Sequence, residues 1–195
     1  MPHDRMFPHA HAHKLDDPER ASFLPVDEIV RRVGVKQGMS VADVGAGTGY
    51  FALPLARAVA PGRVAAIDLQ QEMLDAIARR AAETESPPIT LVRADASDTT
   101  LADGSIDLAF YANVWHEIDD RREALDEAAR ILRDGGRIAI LDWRKDVPSP
   151  PGPPTDHRLA APDVARELER GGWKIEAPQN VGTYAYLVLA ERPRR

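Results

Sequence analysis

The sequence predicts an α/β fold with a mostly parallel sheet of seven strands, helices on both faces and an antiparallel hairpin at the carboxyl end. Three observations lead to this prediction. Short apolar segments alternate with segments whose apolar residues recur at helical spacing, which is typical of parallel sheets. A glycine-rich loop follows the first apolar segment directly. Near the carboxyl end, the turn between two strand-like segments is too short for a crossover, so those strands must be antiparallel.

The first 37 residues precede the main domain, which we expect over residues 38–195. Residues 1–20 are polar and rich in histidine and proline, without clear periodicity. The apolar residues Ile29, Val30 and Val33 then indicate a short helix that ends near Gly34.

Five strand-like segments and the helices between them account for the parallel part of the sheet. The strands are VADV, RVAAID, ITLVRAD, IDLAFYAN and RIAILDW. Helices with apolar stripes at residues 51–59 and 73–81 follow the first two strands. The helix DDRREALDEAARILRDGG has acids in its first turn and should stop at Gly135 and Gly136. Pro54 conflicts with the first helix, which either begins later than its pattern suggests or has distorted first turns.

The carboxyl-terminal part departs from this alternation. A loop over residues 146–157 contains five prolines and therefore loses little freedom on ordering. It forms either one wall of a substrate pocket or a stiff surface connection. A helix around APDVARELERGG leads to the strands WKIEA and TYAYLVLAE, with Asn180 and Gly182 in the turn between them.

Composition argues against several classes of function. The chain has 195 residues, a formal net charge of −6 and an isoelectric point of about 5.5, so a large nucleic-acid-binding surface is not expected. It contains no cysteine, which excludes disulfides, thiolate metal sites and cysteine nucleophiles. No apolar stretch reaches the roughly 18 residues of a membrane span, and the amino terminus lacks a signal-peptide pattern. We therefore expect a cytoplasmic enzyme.

The glycine loop in SVADVGAGTGYFALP indicates a ligand that comes close to the backbone. The residues that end the first three strands, where ligands of open α/β sheets bind, are acidic: Asp43, Asp68 and Asp95. The spacing of Gly45, Gly47 and Gly49 does not match a dinucleotide site, and Asp43 would repel a phosphate but suit an ammonium group. Asp68 lies nineteen residues after Gly49, where an acid binds ribose hydroxyls in such folds. The ligand implied has a ribose, a positive amino group and no phosphate.

Five motifs occur in order over most of residues 38–143: VADVGAGTGYF, VAAIDLQQEML, LVRADASD, LADGSIDLAFYANVWHEI and EAARILRDGGRIAILDW. With them the chain resembles the class I S-adenosylmethionine-dependent methyltransferases, in the group that includes the ubiquinone/menaquinone methyltransferases. The resemblance implies a Rossmann-like fold and S-adenosylmethionine as cofactor. It also implies transfer of the cofactor's methyl group to a small-molecule acceptor by in-line displacement.

The resemblance further implies cofactor contacts for residues around the strand ends: Asp43, Gly45, Ala46, Gly47, Gly49, Tyr50, Asp68, Leu69, Met73, Asp95, Ala96 and Asn113. The three glycines would let the backbone approach the cofactor, and Asp43 and Asn113 would hold its methionine end. Asp68 would accept hydrogen bonds from both ribose hydroxyls, and Asp95 would take the adenine amino group. Tyr50 either shapes the pocket or belongs to the core.

Two histidines are candidates for a base that removes a proton from the acceptor. His116 follows the fourth strand and His157 follows the fifth, so both loops should open onto the crevice. Either histidine could instead cap a helix or satisfy a backbone carbonyl. Arg158 would bind an anionic substrate or lie on the surface.

The segment HAHAH invites a metal hypothesis, because His9, His11 and His13 would project to one side of an extended chain and imidazole suits zinc, copper or nickel. Histidine tracts at termini are more often solvated, so we assign no metal site. We expect instead that residues 9–25 fold over the cofactor; we call this segment the lid.

Other functions remain open from the sequence. A protein that senses S-adenosylmethionine without catalysis is the main alternative, because the motifs indicate the cofactor site better than the acceptor site. A nicotinamide-dependent reductase has a different glycine spacing, and an aminopropyltransferase should carry an extra acidic motif. The expected partner is a small-molecule substrate, not nucleic acid or a membrane, and the sequence allows a homodimer.

Overall fold

The computed structural model describes residues 7, 8, 10, 15, 17–149 and 151–192, and this part of the chain contains six α-helices and eight strands. The helices are α1 (Arg20–Phe23), α2 (Val26–Val33), α3 (Ala52–Val59), α4 (Gln71–Glu83), α5 (Arg121–Ile131) and α6 (Ala161–Arg170). The strands are β1 (Ser40–Val44), β2 (Arg63–Asp68), β3 (Ile89–Arg93), β4 (Ile106–Ala112), β5 (Leu132–Trp143), β6 (Lys174–Ile175), β7 (Gln179–Val181) and β8 (Ala185–Glu191). None of the described helices is long and apolar enough to cross a bilayer.

All eight strands belong to one sheet, in the order β3-β2-β1-β4-β5-β8-β6, with β7 paired to β8. The pairs among β1 to β5 are parallel, whereas β8 runs antiparallel to β5, β6 and β7. The predicted mostly parallel sheet with an antiparallel carboxyl-terminal part is therefore confirmed. The chain leaves β1 toward β2 and β3 on one side and returns to β4 on the other, which opens a crevice at the carboxyl ends of β1 and β4.

Apolar clusters lie on both faces of the sheet, as the predicted helices on both faces require. Along β1, Val41 packs into the cluster covered by α2, α3 and α4, whereas Ala42 and Val44 pack into the cluster covered by α5 and α6. Because successive strand side chains point to opposite faces, an almost wholly buried strand such as β1 requires a helical layer on each side of the sheet.

The carboxyl-terminal hairpin contains one strand more than the seven predicted. Asn180 was expected in a turn but lies in β7, where it pairs with Tyr186 of β8. The long strand β8 pairs with β6 near its end and with β7 near its start. Pro178 stands between β6 and β7, and because proline has no N–H to donate, it interrupts the ladder and divides the partner strand in two.

Two expectations about helix ends are settled by the structure. The helix α5 ends at Ile131, before the predicted stop at Gly135 and Gly136, because the buried Leu132 already pairs with Ile106 of β4. The two glycines lie instead in the irregular start of β5.

Pro54 is the third residue of α3. The first-turn N–H groups of a helix have no intrahelical partner, so this proline forfeits no bond and the apparent conflict disappears.

Candidate cofactor and catalytic site

A cavity of about 550 Å³ opens beyond the carboxyl ends of β1 to β4, within the size range of small-molecule sites. The loops that follow these four strands line it, at residues 44–48, 68–70, 95–97 and 112–114. Gly152 and Pro153 of the proline-rich loop and residues of the amino-terminal segment complete the lining. The crevice predicted from the strand order is thus present as a cavity in the described chain.

The loop after β1 is held against β2 by Asp68. One carboxylate oxygen of Asp68 accepts the N–H of Gly47 at 2.9 Å, and the other accepts the N–H of Gln70 at 2.9 Å. Gly45 has a φ of +72°, and a Cβ on it would lie 2.5 Å from Val114, so a side chain there would push the β1 and β4 loops apart. Asp68 therefore shapes the glycine loop as well as facing the cavity.

Gly49 has a different role from Gly45 and Gly47. It does not line the cavity. A Cβ at Gly49 would lie 2.6 Å from Leu53 and 3.0 Å from Ile77, and its φ is +85°. The expectation that Gly49 lets the backbone approach a ligand is wrong; its missing side chain lets α3 pack against α4.

Polar groups at the ends of β1 and β4 face the cavity without partners. Among the described residues, Oδ2 of Asp43 and both amide atoms of Asn113 are buried and make no hydrogen bond. Burial and the nearby Asp68 raise the pKa of Asp43 to about 7, against the opposing charge of Arg20. Such orphaned atoms are costly without a ligand, and together they match the amino and carboxylate groups of an amino acid. These residues fit the methionine end of S-adenosylmethionine.

The loops after β2 and β3 form the other end of the cavity. Leu69 lies at its rim and Met73 is buried beneath it, while Asp95 and Ala96 face it from the β3 side. One oxygen of Asp95 accepts from the N–H and the hydroxyl of Ser97, which orients the carboxylate. Of the cofactor residues expected from the sequence, all but Gly49 line the cavity.

His116 lies in a short 3-10 turn, Trp115–Glu117, directly after β4, and its side chain is almost fully buried at the cavity. Its Nδ1 atom is 2.8 Å from Oδ1 of Asp142, and its backbone N–H donates to Oδ2 of the same residue at 3.0 Å. Since the carboxylate can only accept, the Nδ1 atom carries a proton and the neutral ring keeps Nε2 free to accept another. This geometry fixes the orientation of the ring and leaves Nε2 able to accept a proton.

The charges around His116 tune its protonation. Burial lowers the pKa of His116, but the carboxylates of Asp142 and Glu117 outweigh it, so the pKa lies above the usual 6.5. Oε1 of Glu117 is 3.7 Å from the Nε2 atom, and burial raises the pKa of Glu117 to about 7. Both members of this pair therefore keep their protons to a higher pH than they would in water.

The second candidate base is not part of the site. His157 is exposed and does not line the cavity. Its N–H bonds to the carbonyl of Pro154 in a turn that directs the neighbouring Arg158, not the histidine, into the protein. The expectation that the His157 loop delivers an imidazole to the crevice is therefore wrong.

Some residues of the amino-terminal segment cover the cavity. Leu15, Arg20 and Phe23 line it, and the Arg20 guanidinium stacks over the ring of Tyr50 at 4.2 Å from the ring centre. The hydroxyl of Tyr50 donates to the carbonyl of Leu24 at 2.9 Å. The histidines of the metal hypothesis, His9, His11 and His13, lie outside the described residues, and the described part contains no group of three potential metal ligands.

Sequence reasoning missed three charged residues of the site: Asp142, Glu117 and Arg20. Asp142 stands one residue before the end of β5, as Asp43 stands one residue before the end of β1, so the same strand-end rule could have found it. Glu117 and Arg20 carry no comparable local signal.

Comparison with known proteins agrees with this geometry. A family model described as a methyltransferase domain matches residues 42–140, just over half of the chain. The chain is 32% identical over 147 residues to the O-methyltransferase rstn1 of Aspergillus nomiae, covering 72% of this chain and 65% of that one. It is 31% identical over 115 residues to a demethylmenaquinone methyltransferase of Staphylococcus aureus, covering 58% and 47%. The chain therefore spans between about half and two thirds of the length of these relatives.

Among solved structures, a SAM-dependent methyltransferase from Aquifex aeolicus is similar over 96% of this chain and 100% of its own, with a TM-score of 0.91 and 29% identity. The resemblance seen in the sequence motifs is thereby confirmed. The chain belongs to the class I S-adenosylmethionine-dependent methyltransferases.

Proposed function

We propose that the protein methylates a hydroxyl group of a small, uncharged acceptor, with His116 as the base. The observation that carries this proposal is the pair of His116 and Asp142, which presents a proton-accepting nitrogen at the cavity that the unpartnered amide of Asn113 also lines. An oxygen acceptor has a proton to lose, and a positioned base contributes about 10²–10⁴-fold to such a reaction. The name of the Aspergillus relative, an O-methyltransferase, supports the same class of acceptor.

The charge of the lining supports an acceptor without negative charge. Among the described lining residues one, Arg20, is a guanidinium and seven are acidic: Asp43, Asp68, Asp95, Glu117, Asp119, Asp120 and Glu123. A carboxylate or phosphate on the acceptor would meet this negative field. The apolar walls near Phe23 and Trp143 suit a ring or an aliphatic body instead.

The residues present divide the work of binding and proton transfer. Asp43 and Asn113 would hold the methionine end of the cofactor, Asp68 its ribose, and the loop at Asp95 and Ala96 its adenine. When bound, S-adenosylmethionine supplies a methyl group on a positively charged sulfur, which the acceptor oxygen displaces in line. The Nε2 atom of His116 takes the hydroxyl proton, and Asp142 stabilises the imidazolium that forms.

We also propose that the lid, residues 9–25, closes the cavity over the cofactor. Of the lid, residues 9, 11–14 and 16 lie outside the part of the chain that the structure describes. The contacts of Leu15, Arg20 and Phe23 with the cavity support this role. Covering the site excludes water, which strengthens electrostatic interactions inside it. Tyr50 then serves as the platform on which Arg20 rests.

A transfer assay tests the function. The protein is incubated with methyl-labelled S-adenosylmethionine and a matched panel: an uncharged phenol, the same phenol bearing a carboxylate, and a primary amine on the same ring. We expect label on the uncharged phenol alone. Label on the amine alone would refute the hydroxyl acceptor. Tight cofactor binding without transfer to any of them would favour the alternative of a non-catalytic sensor.

A further inference from the structure

Arg158 is a buried guanidinium at the base of the proline-rich loop. It is 1% exposed, and all its hydrogen-bond partners are main-chain carbonyls. Its Nε atom donates to Pro153 at 2.9 Å and its Nη2 atom to Pro151 at 2.7 Å. Its Nη1 atom donates to Arg144 at 2.9 Å and to Val147 at 3.3 Å. One side chain thus joins the start, middle and end of the loop.

The loop needs such a donor because it is poor in its own. Residues 146–157 contain five prolines, none of which has an N–H, so few backbone donors are left for the loop's own carbonyls. The backbone bond from His157 to Pro154 lies near the end of the loop. Arginine presents five donors in a rigid fork, more than any other side chain. Replacing it removes the side-chain donor from four carbonyls in a partly buried region.

The part of the loop that Arg158 binds is the part that faces the cavity. Gly152 and Pro153 line the cavity together with Trp143. A Cβ on Gly152 would lie 2.6 Å from the Trp143 ring, so the loop backbone rests directly on the indole. The Arg158 guanidinium lies 5.9 Å from the centre of the same ring. The position of this wall therefore follows from the carbonyls that Arg158 holds.

Arg158 also acts on the catalytic pair through its charge. Its positive charge lowers the pKa of His116, by less than the carboxylates of Asp142 and Glu117 raise it. Burial lowers the pKa of Arg158 itself, and the Asp142 carboxylate offsets this only in part. The charged groups that act on His116 are Asp142 from β5, Glu117 from its own turn and Arg158 from the loop.

We propose that Arg158 is a positioning residue of the acceptor site, which fixes residues 151–153 as its wall and places a positive charge near the pair of His116 and Asp142. It is neither a ligand for an anionic substrate nor a surface residue, the two roles that the sequence suggested. This role rests on the proposed function in one respect: the wall is taken to be the side of the cavity where the acceptor binds.

The test uses the full chain and the variants Arg158→Lys, Arg158→Gln and Arg166→Gln, free of ligand for calorimetry and saturated with S-adenosylhomocysteine for hydrogen exchange and NMR. Arg166 is a matched control because its guanidinium is exposed on α6 and pairs with Asp163. Three quantities are measured: affinity for S-adenosylhomocysteine by calorimetry, hydrogen exchange of residues 144–158 by mass spectrometry, and the titration of the His116 ring by NMR.

Each variant separates one part of the role. Lysine keeps the charge but not the fork, so we expect exchange about tenfold faster with a His116 pKa near that of the wild type. Glutamine loses both, so exchange should rise as much and the pKa of His116 should move up. Cofactor affinity should stay within about twofold in all variants, and Arg166→Gln should match the wild type throughout.

Unchanged exchange in the lysine variant would overturn the proposal, even if the glutamine variant fails to fold. An unchanged His116 titration in a folded glutamine variant would overturn the electrostatic half. None of these measurements needs methyl transfer. A protein that binds the cofactor but methylates nothing would therefore refute the proposed function and leave the role of Arg158 in the wall and in the titration of His116 to be decided by the variants.

Discussion

The Nδ1 atom of His116 lies 2.8 Å from Oδ1 of Asp142, although the two residues are 26 positions apart in the chain. Their strands explain the contact. β4 and β5 are neighbouring parallel strands, paired at Ala112 and Leu141, so the residues that follow these positions meet at one edge of the sheet. A fixed hydrogen bond between a buried carboxylate and an imidazole is how a protein sets the tautomer of a base.

Replacing the base should slow turnover without releasing the cofactor. For His116→Ala we expect methyl transfer to the accepted phenol to fall about 10²–10⁴-fold, with S-adenosylmethionine affinity within about twofold of the wild type. Radiolabel transfer and calorimetry measure the two quantities. His157→Ala is the matched control, because that imidazole is exposed away from the cavity, and it should behave as the wild type. Loss of cofactor binding in His116→Ala would show that this histidine binds the cofactor and that its assignment as the base is wrong.

The pH dependence should carry the signature of Asp142. A base must be neutral to accept a proton, so the rate rises as pH passes upward through the pKa of His116, which lies above 6.5. Asp142→Asn removes a charge that raises this pKa. We expect the acid limb of the kcat/KM profile to move to lower pH while the maximum rate falls. If the acid limb stays at the same pH in Asp142→Asn, the group that titrates in the profile is not one whose pKa Asp142 raises.

Removing the carboxylate after β2 should weaken cofactor binding. A hydrogen bond to a charged group contributes about 1.5–3 kcal/mol, so Asp68→Ala should raise the Kd for S-adenosylmethionine about 10–150-fold. Part of this loss comes from the glycine loop, because Asp68 also accepts the N–H of Gly47. Asp75→Ala, an exposed acid on α4, is the control. Equal Kd values for the two variants would exclude the ribose assignment.

Asp43 should make the cofactor-free protein less stable as pH rises. Its folded pKa is raised from 3.8 to about 7, so the folded state favours the protonated form. The stability that this preference contributes is complete below about pH 4 and is lost as pH rises through about 7. Asp43→Asn cannot ionise, so its advantage in thermal midpoint over the wild type should be larger at about pH 8 than at about pH 5.5.

The same substitution should weaken binding, because it removes the charge that faces an ammonium group. Thermal scans without ligand and calorimetry with S-adenosylmethionine give the two results. A midpoint difference that is independent of pH would show that Asp43 does not titrate in this range.

Binding of the cofactor should protect the backbone of the lid from proteolysis. We expect S-adenosylmethionine to slow tryptic cleavage after Lys14 and Arg20, since Leu15 and Arg20 contact the cavity. Cleavage after Lys174, whose side chain is 85% exposed on the far edge of the sheet, is the internal control. Equal cleavage of the lid with and without cofactor, followed by mass spectrometry, would argue against closure.

Most of the fold followed from local patterns. Alternating apolar and helical segments were enough for the five parallel strands and their order along the chain, because period and turn chemistry act over a few residues. The same local rules failed at Gly135 and Asn180, where pairing with a neighbouring strand, and not the residue itself, decides the conformation. Local rules also failed at Gly49, because the absence of its side chain matters for the contact between α3 and α4.

By itself the sequence determined the sheet, the glycine loop and the acids at the strand ends, because adjacent residues and strand ends are sufficient to place them. Only the tertiary structure decided that Asp142 orients His116, that Arg158 is buried beneath the proline-rich loop, and that His157 faces solvent. These outcomes depend on which side of a loop packs inward. That choice is made by burial and hydrogen-bond satisfaction among residues far apart in the chain, which no short stretch of sequence contains.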